Sequence, residues 1–211
     1  GNHLPLRRVR ILAERFCMIG RNFLSYKKTA DQFDQLLLNA VLRIFRCTLM
    51  ILAIDMGNTN IVLGGIDEKE TYFIERVTTD QGRTDTEYAI HFKNILEMHH
   101  IQLSDIEGSI LSSVVPPLNT TILSAVEKTI GIRPLLVGSG MKTGMNILMD
   151  NPKSVGSDMI VDVVAAIHEH PLPLVVIDMG TATTLSVADK KGNYIGGVIL
   201  PGLRVSLNSL S

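Results

Sequence analysis

Two short stretches of this chain have the residue types to hold phosphate and a cation. Ile51-Leu-Ala-Ile-Asp55-Met-Gly57-Asn58-Thr59 reads as an apolar run, an Asp, a Gly and small polar residues, and Leu174-Val-Val-Ile-Asp178-Met-Gly180-Thr181-Ala-Thr183-Thr184 repeats the pattern 123 residues later. A Gly just after a strand permits a tight turn and lets backbone N–H groups approach a ligand. Successive N–H groups with Asn and Thr side chains form a concave cradle for phosphate oxygens. An Asp at the strand end supplies a hard oxygen donor for a cation, directly or through water. One such turn alone is more simply an ordinary hairpin. Two in matched contexts point to a nucleotide clamped between related units.

A third stretch carries a carboxylate with another chemistry open to it. In Asp150-Asn-Pro152-Lys-Ser-Val-Gly156-Ser157-Asp158-Met159-Ile160 the proline blocks helix, Gly156 allows a turn, and Ser157 or Asp158 can start a helix over Ile160–His168. Asp158 then sits at a helix N-terminus. Simple capping explains it, and so does a role as base for a substrate hydroxyl. Met145, Met149 and Met159 read as core or pocket lining. The pair His99-His100 ends a helix without companion ligands and reads as an exposed helix end favoured by the dipole.

The elements that must position these groups follow from pattern. Each Asp-x-Gly turn leads into a second β-like run (Ile61-Val-Leu-Gly; Leu185-Ser-Val-Ala), a polar turn and a third run (Thr71-Tyr-Phe-Ile; Tyr194 to Leu200). Between the two units, Thr84 with Glu87 fits a capping box. The helix it opens carries Ala89, Phe92, Ile95 and Leu96 at helical spacing. Ser109–Val115 reads as a strand stopped by Pro116-Pro117, 119–129 as a helix and Pro134–Val137 as a strand. Alternating strands and helices after a three-strand meander argue for an α/β fold.

Composition narrows the field. The chain has 211 residues, 45% hydrophobic and 19% charged, with net charge −1. That excludes an intrinsically disordered chain, and nothing global suggests nucleic-acid binding. No run reaches 18 apolar residues, so no membrane-spanning helix is expected. Two cysteines exclude a disulfide scaffold.

The average hides a split at Met50. Residues 1–49 hold nine Lys and Arg against three acids, a formal +6, and both cysteines, Cys17 and Cys47. Residues 50–211 hold the remaining 11 basic and 18 acidic residues, a formal −7. The run Leu36-Leu-Leu38, Val41, Leu42, Ile44, Phe45 is compatible with a basic amphipathic helix on a membrane surface, and a targeting sequence is a second reading. The expectation adopted is a non-native or unstructured extension, with Met50 as the natural start.

Six ordered motifs resemble those of type III pantothenate kinases. They are Asp55-Met-Gly-Asn-Thr59, Arg83-Thr-Asp-Thr-Glu-Tyr88, Ser113-Val-Val-Pro-Pro117, Asn151-Pro-Lys-Ser-Val-Gly-Ser-Asp158, Asp178-Met-Gly-Thr-Ala-Thr-Thr184 and Gly196-Gly-Val-Ile-Leu-Pro-Gly202. The resemblance spans Met50 to Ser211. It implies an actin-like ATPase fold of two ribonuclease-H-like domains: 50–170 as the first, and 171–211 as the start of an incomplete second. It implies ATP-dependent phosphorylation of pantothenate, the first step of coenzyme A synthesis, by a cytoplasmic homodimer. ATP, magnesium and a monovalent cation, potassium or ammonium, are the implied cofactors, with no nucleic-acid or membrane partner.

By position, the resemblance implies that Asp55, Met56, Gly57, Asn58, Thr59, Asn60, Ile61 and Val62 form the nucleotide phosphate loop, with Thr181 as a second ATP contact. Gly156, Ser157, Asp158 and Met159 fall where pantothenate binds, and Asp158 matches the proton acceptor. Asp178 matches the monovalent-cation ligand. Three departures stand out. The family's usual Gly-Ala-Asp-Arg is Gly156-Ser157-Asp158-Met159, so a cation near the pantothenate carboxylate is missing. A Tyr common before the Asp-Asn-Pro motif is Met149, so that side of the substrate site differs too. The chain also stops at Ser211, inside the second domain. Alternative readings are a catalytically weak homologue serving as a regulatory or accessory protein, and another small-molecule kinase of the same fold.

Overall fold

The computed structural model describes residues 49–210 apart from Glu68 and Ser139. The expectations for the basic segment, including Cys17 and Cys47, lie outside the described residues.

Among the described residues there are two sheets, with a helix between them. The first begins with the expected meander, β1 (Met50–Met56), β2 (Asn60–Ile66) and β3 (Thr71–Thr78). Helix α1 (Asp85–Met98) follows, then β4 (Ile106–Ser113), α2 (Asn119–Ile130) and the two-residue β5 (Leu135–Leu136). The order is β3-β2-β1-β4-β5. The meander is antiparallel, whereas β4 pairs parallel with β1, placing Ser112 opposite Asp55. Helix α3 (Ser157–Glu169) leads to the second sheet, a meander of β6 (Leu174–Met179), β7 (Ala182–Ala188) and β8 (Tyr194–Pro201), and to a short α4 (Leu203–Asn208).

Strand β1 is buried on both faces, and its alternation explains the layers. Leu52, Ile54 and Met56 face one way, into a core with Tyr88, Phe92 and Leu96 of α1 and Ile122 and Val126 of α2. Ile51 and Ala53 face the other way, against Val62, Ile110 and Val161 of α3. Asp55 continues that second row by the two-residue period of a strand. α1 opens on the expected capping box of Thr84 and Glu87.

α3 serves both sheets. Its Val161 packs on the first, while Met159, Ile160, Val163 and Val164 pack with Val176, Ala188 and Tyr194 of the second. A helix with apolar residues nearly all round is a buried helix. Its outer sheet partner is one-sided. Val175, Ile177 and Met179 of β6 and Val198 and Leu200 of β8 stay 47–73% exposed on the far face.

Three local readings change. The helix starts at Ser157 with Gly156 as N-cap, so neither Ser157 nor Asp158 is the capping residue. The strand expected over Pro134–Val137 shrinks to two residues, because Gly138 and Pro134 bracket an exposed edge. His99 is half-buried, not a free helix end: its Nε2 lies 2.9 Å from Glu75 Oε1 and its ring stacks on Phe73.

Candidate functional site

The two Asp-x-Gly turns meet. Thr59 Oγ1 and Thr181 Oγ1 share a hydrogen bond of 3.0 Å across 122 residues of chain. Each turn closes on a bond from its glycine, over different spans: the Gly57 N–H donates to Asn60 O, three residues on, at 2.9 Å, and the Gly180 N–H to Ala182 O, two residues on, at 3.0 Å. The repeat seen in the sequence is a repeat of strand, glycine turn and strand, with the second turn one residue shorter than the first.

Both turns are braced from behind. Thr79 donates its hydroxyl to Gly57 O (2.7 Å) and its N–H to Thr59 O (3.0 Å). The hydroxyl of the buried Tyr88 holds the next residue, donating to Asp80 O and accepting from Asp80 N, both at 2.8 Å. On the other side Gly202 donates to Thr181 O at 3.0 Å. A side chain at 202 would collide with the Gly180 and Thr181 carbonyls, so the residue there must lack one.

Behind the turns the fold gathers carboxylates. Asp55 and Asp178 end β1 and β6 on the faces turned toward α3, by the alternation that buries Ile51, Ala53 and Val176. Asp158 lies in the first turn of α3, and Asp162, four residues on, occupies the same helix face. Burial pushes the Asp55 carboxyl up to about 7, and the charges of Asp158, Asp162 and Asp178 add to the rise. A hydrogen bond from Ser112 offsets part of it. The Asp158 carboxylate folds back over Gly156, where a Cβ would displace it.

Of the residues singled out in the sequence, Asp55, Gly57, Thr59, Asp158, Asp178 and Thr181 come together here. Asn58 is exposed at the turn and Asn60 half-buried beside it. Met56, Ile61 and Val62 are buried, leaving only their backbone to face a ligand. Met159 is 5% exposed in the core with Met145, and Met149 packs against that cluster. Ser157 is buried and bonded to β4.

Two residues of the cluster had not been singled out. The signal for Asp162 was present in the four-residue spacing from Asp158. Ser112 had none, since its place beside Asp55 depends on parallel pairing of strands 50 residues apart.

The donors suit a hard cation held loosely. Carboxylate oxygens match magnesium or a monovalent ion in type, and the Asp55 carboxyl, raised first by burial, is raised further by neighbouring negative charge that a cation would relieve. Among the described residues no three His, Cys, Asp or Glu side chains converge tightly enough to bind a metal between them. Magnesium usually takes one or two carboxylates plus water and substrate phosphate, which fits that spread.

Fold and site define an α/β protein that sets two braced glycine turns beside a carboxylate cluster. The chain belongs to the type III pantothenate kinase family, whose model matches residues 51–211. Similar solved structures include a Ppx/GppA phosphatase of Aquifex aeolicus (11% identity, TM-score 0.45, 77% of this chain and 55% of that one). Another is a ROK hexokinase of Thermus thermophilus (15%, 0.40, 70% and 49%). A third is a reductive activator for a corrinoid, iron-sulfur protein (11%, 0.44, 72% and 30%). The chain thus spans about half or less of the length of these structures. No helix among the described residues is long and apolar enough to cross a membrane.

Proposed function

We propose that this chain carries the catalytic cleft of an ATP-dependent kinase that phosphorylates pantothenate to 4'-phosphopantothenate, the first step of coenzyme A synthesis. The observation that carries the reading is the meeting of two glycine turns, through Thr59 and Thr181, beside Asp158 and Asp55. The family match supports the substrate.

In this reading the Asp55–Val62 turn and Thr181 hold the nucleotide phosphates through backbone N–H groups and hydroxyls. Gly156, Asp158 and the backbone of Ser157 and Met159, with Met149, form the pantothenate side. Asp158 accepts the proton of the pantothenate hydroxyl as its oxygen bonds to the γ-phosphorus, and the bond from that phosphorus to the bridging oxygen of ADP breaks in line. Asp158 sits in the N-terminal turn of α3. Asp55, with Asp178, would hold the cations: magnesium, when bound, would screen phosphate charge, and Asp178 would hold potassium or ammonium. The two meanders with their helices correspond to two ribonuclease-H-like units of an actin-like ATPase fold, working as a cytoplasmic homodimer.

A coupled assay with ATP and pantothenate tests this reading. Turnover that requires pantothenate, and that is higher in potassium than in sodium, supports it. Asp178→Ala should remove the potassium dependence. ATP turnover indifferent to pantothenate would point to another acceptor. A second reading rests on Met159: its buried side chain offers pantothenate's carboxylate no cation, which favours a weakly catalytic accessory protein. Nucleotide binding with no transfer to any alcohol would favour it.

A further inference from the structure

We propose that Ser157 is a positioning residue, whose hydroxyl latches the first turn of α3, and with it Asp158, to the end of β4 beside Asp55. The inference rests on the reading of Asp158 as proton acceptor.

A serine at the start of a helix commonly caps it, accepting a backbone N–H of its own first turn. Ser157 does something else. It follows the N-cap Gly156, and its hydroxyl crosses to the first sheet. Ser157 Oγ donates to Ser113 O at 2.8 Å, accepts from Ser113 N at 3.0 Å, and accepts from Ser112 Oγ at 3.2 Å. One proton given and two received is the full capacity of a hydroxyl. Ser112 is fully buried and Ser157 is 8% exposed, so water does not compete freely for these bonds.

The fixed end of the latch is itself anchored. Ser113 Oγ donates to Asn119 Oδ1 at 2.5 Å and accepts from Val115 N at 3.1 Å, tying the end of β4 to the start of α2. Ser112 stands opposite Asp55 in the parallel ladder, and its hydroxyl, with one proton to give, can donate it either to Ser157 Oγ or to the Asp55 carboxyl. Three adjoining groups therefore connect Asp158's helix to Asp55's strand. The neighbouring α3 contacts are apolar and tolerate sliding, whereas three hydrogen bonds to one hydroxyl fix register. Small displacements of a reacting group are costly to turnover, up to about 100-fold for 1 Å.

The test uses the 211-residue chain as wild type, Ser157→Ala, Ser157→Thr and Ser112→Ala, with two readouts. The first is turnover with ATP and pantothenate. Ser157→Ala should lower kcat by about 10- to 100-fold with the KM for ATP within about twofold, and Ser157→Thr, which keeps the hydroxyl, should restore kcat. The second is amide hydrogen exchange in the first turn of α3. Exchange at 158–161 should quicken by about tenfold in Ser157→Ala, as expected for one lost buried hydrogen bond, with α1 unchanged. Should Ser157→Ala fail to fold, Ser112→Ala removes one bond of the three and should move both readouts the same way by less. Wild-type kcat and wild-type exchange in Ser157→Ala would overturn the proposal, as would equal losses in the Ala and Thr variants. If the wild type does not phosphorylate pantothenate, the functional reading fails, and the exchange comparison alone decides whether the latch exists.

Discussion

Asp55 holds its proton to about pH 7 in the folded chain, because burial and three neighbouring carboxylates disfavour its charge. An unfolded Asp releases its proton near about pH 4. Between those values the folded state binds more protons, so this group's stabilising contribution is complete below about pH 4 and is lost as pH rises through about 7. Asp55→Asn should therefore flatten that part of the pH profile, raising stability at pH 7.5 relative to pH 5 by on the order of 2–4 kcal/mol. Urea unfolding at the two pH values measures it. Parallel changes in wild type and variant would show that Asp55 is ionised throughout. The residue types of Asp55, Asp158 and Asp178 were readable because each sits in a local turn signature. The charge coupling among them was not, since it depends on how β1, α3 and β6 are packed.

At the scale of elements, the duplicated meander was legible from one dimension because its pairings are local. Strand, glycine turn and strand lie within a few residues, and alternation sets which side is buried. The parallel joining of β1 to β4 and the bridging of both sheets by α3 depend on long-range packing and left no local trace. Met159 illustrates the difference: its place next to Asp158 made it a candidate substrate contact, but the helix period turns it toward Val176 and Tyr194. The braces behind the turns give an element-scale prediction. Gly202→Ala places a Cβ against the Gly180 and Thr181 carbonyls, which are backbone and cannot swing aside. The variant should lose about 1–3 kcal/mol of stability and bind ATP more weakly. Thermal unfolding and nucleotide titration check both, and unchanged values would show that β8 and the second turn shift together without cost.

Among the described residues of the molecule, the second sheet carries a conspicuous surface. Val175, Ile177, Met179, Val198 and Leu200 share the outer face of the second sheet, half or more exposed in most cases. Contiguous apolar surface of this kind favours association. Sedimentation should find species above the 23.2 kDa monomer at raised concentration. Val175→Glu with Val198→Glu should shift them to monomer at unchanged melting temperature. A monomer at every concentration would show that the face tolerates water as it stands.

The site on the other side of that sheet is the centre of the account: two turns for phosphate, and one carboxylate on a bridging helix for the acceptor's proton. Transfer of the γ-phosphoryl group from ATP to pantothenate by the wild type and by Asp158→Asn tests it most directly, with nucleotide affinity measured on the same samples. The account predicts a loss of transfer of roughly 100- to 10,000-fold, with ATP affinity within about twofold. Near-normal transfer by the Asn variant would contradict it and leave Asp158 no more than a helix-end charge.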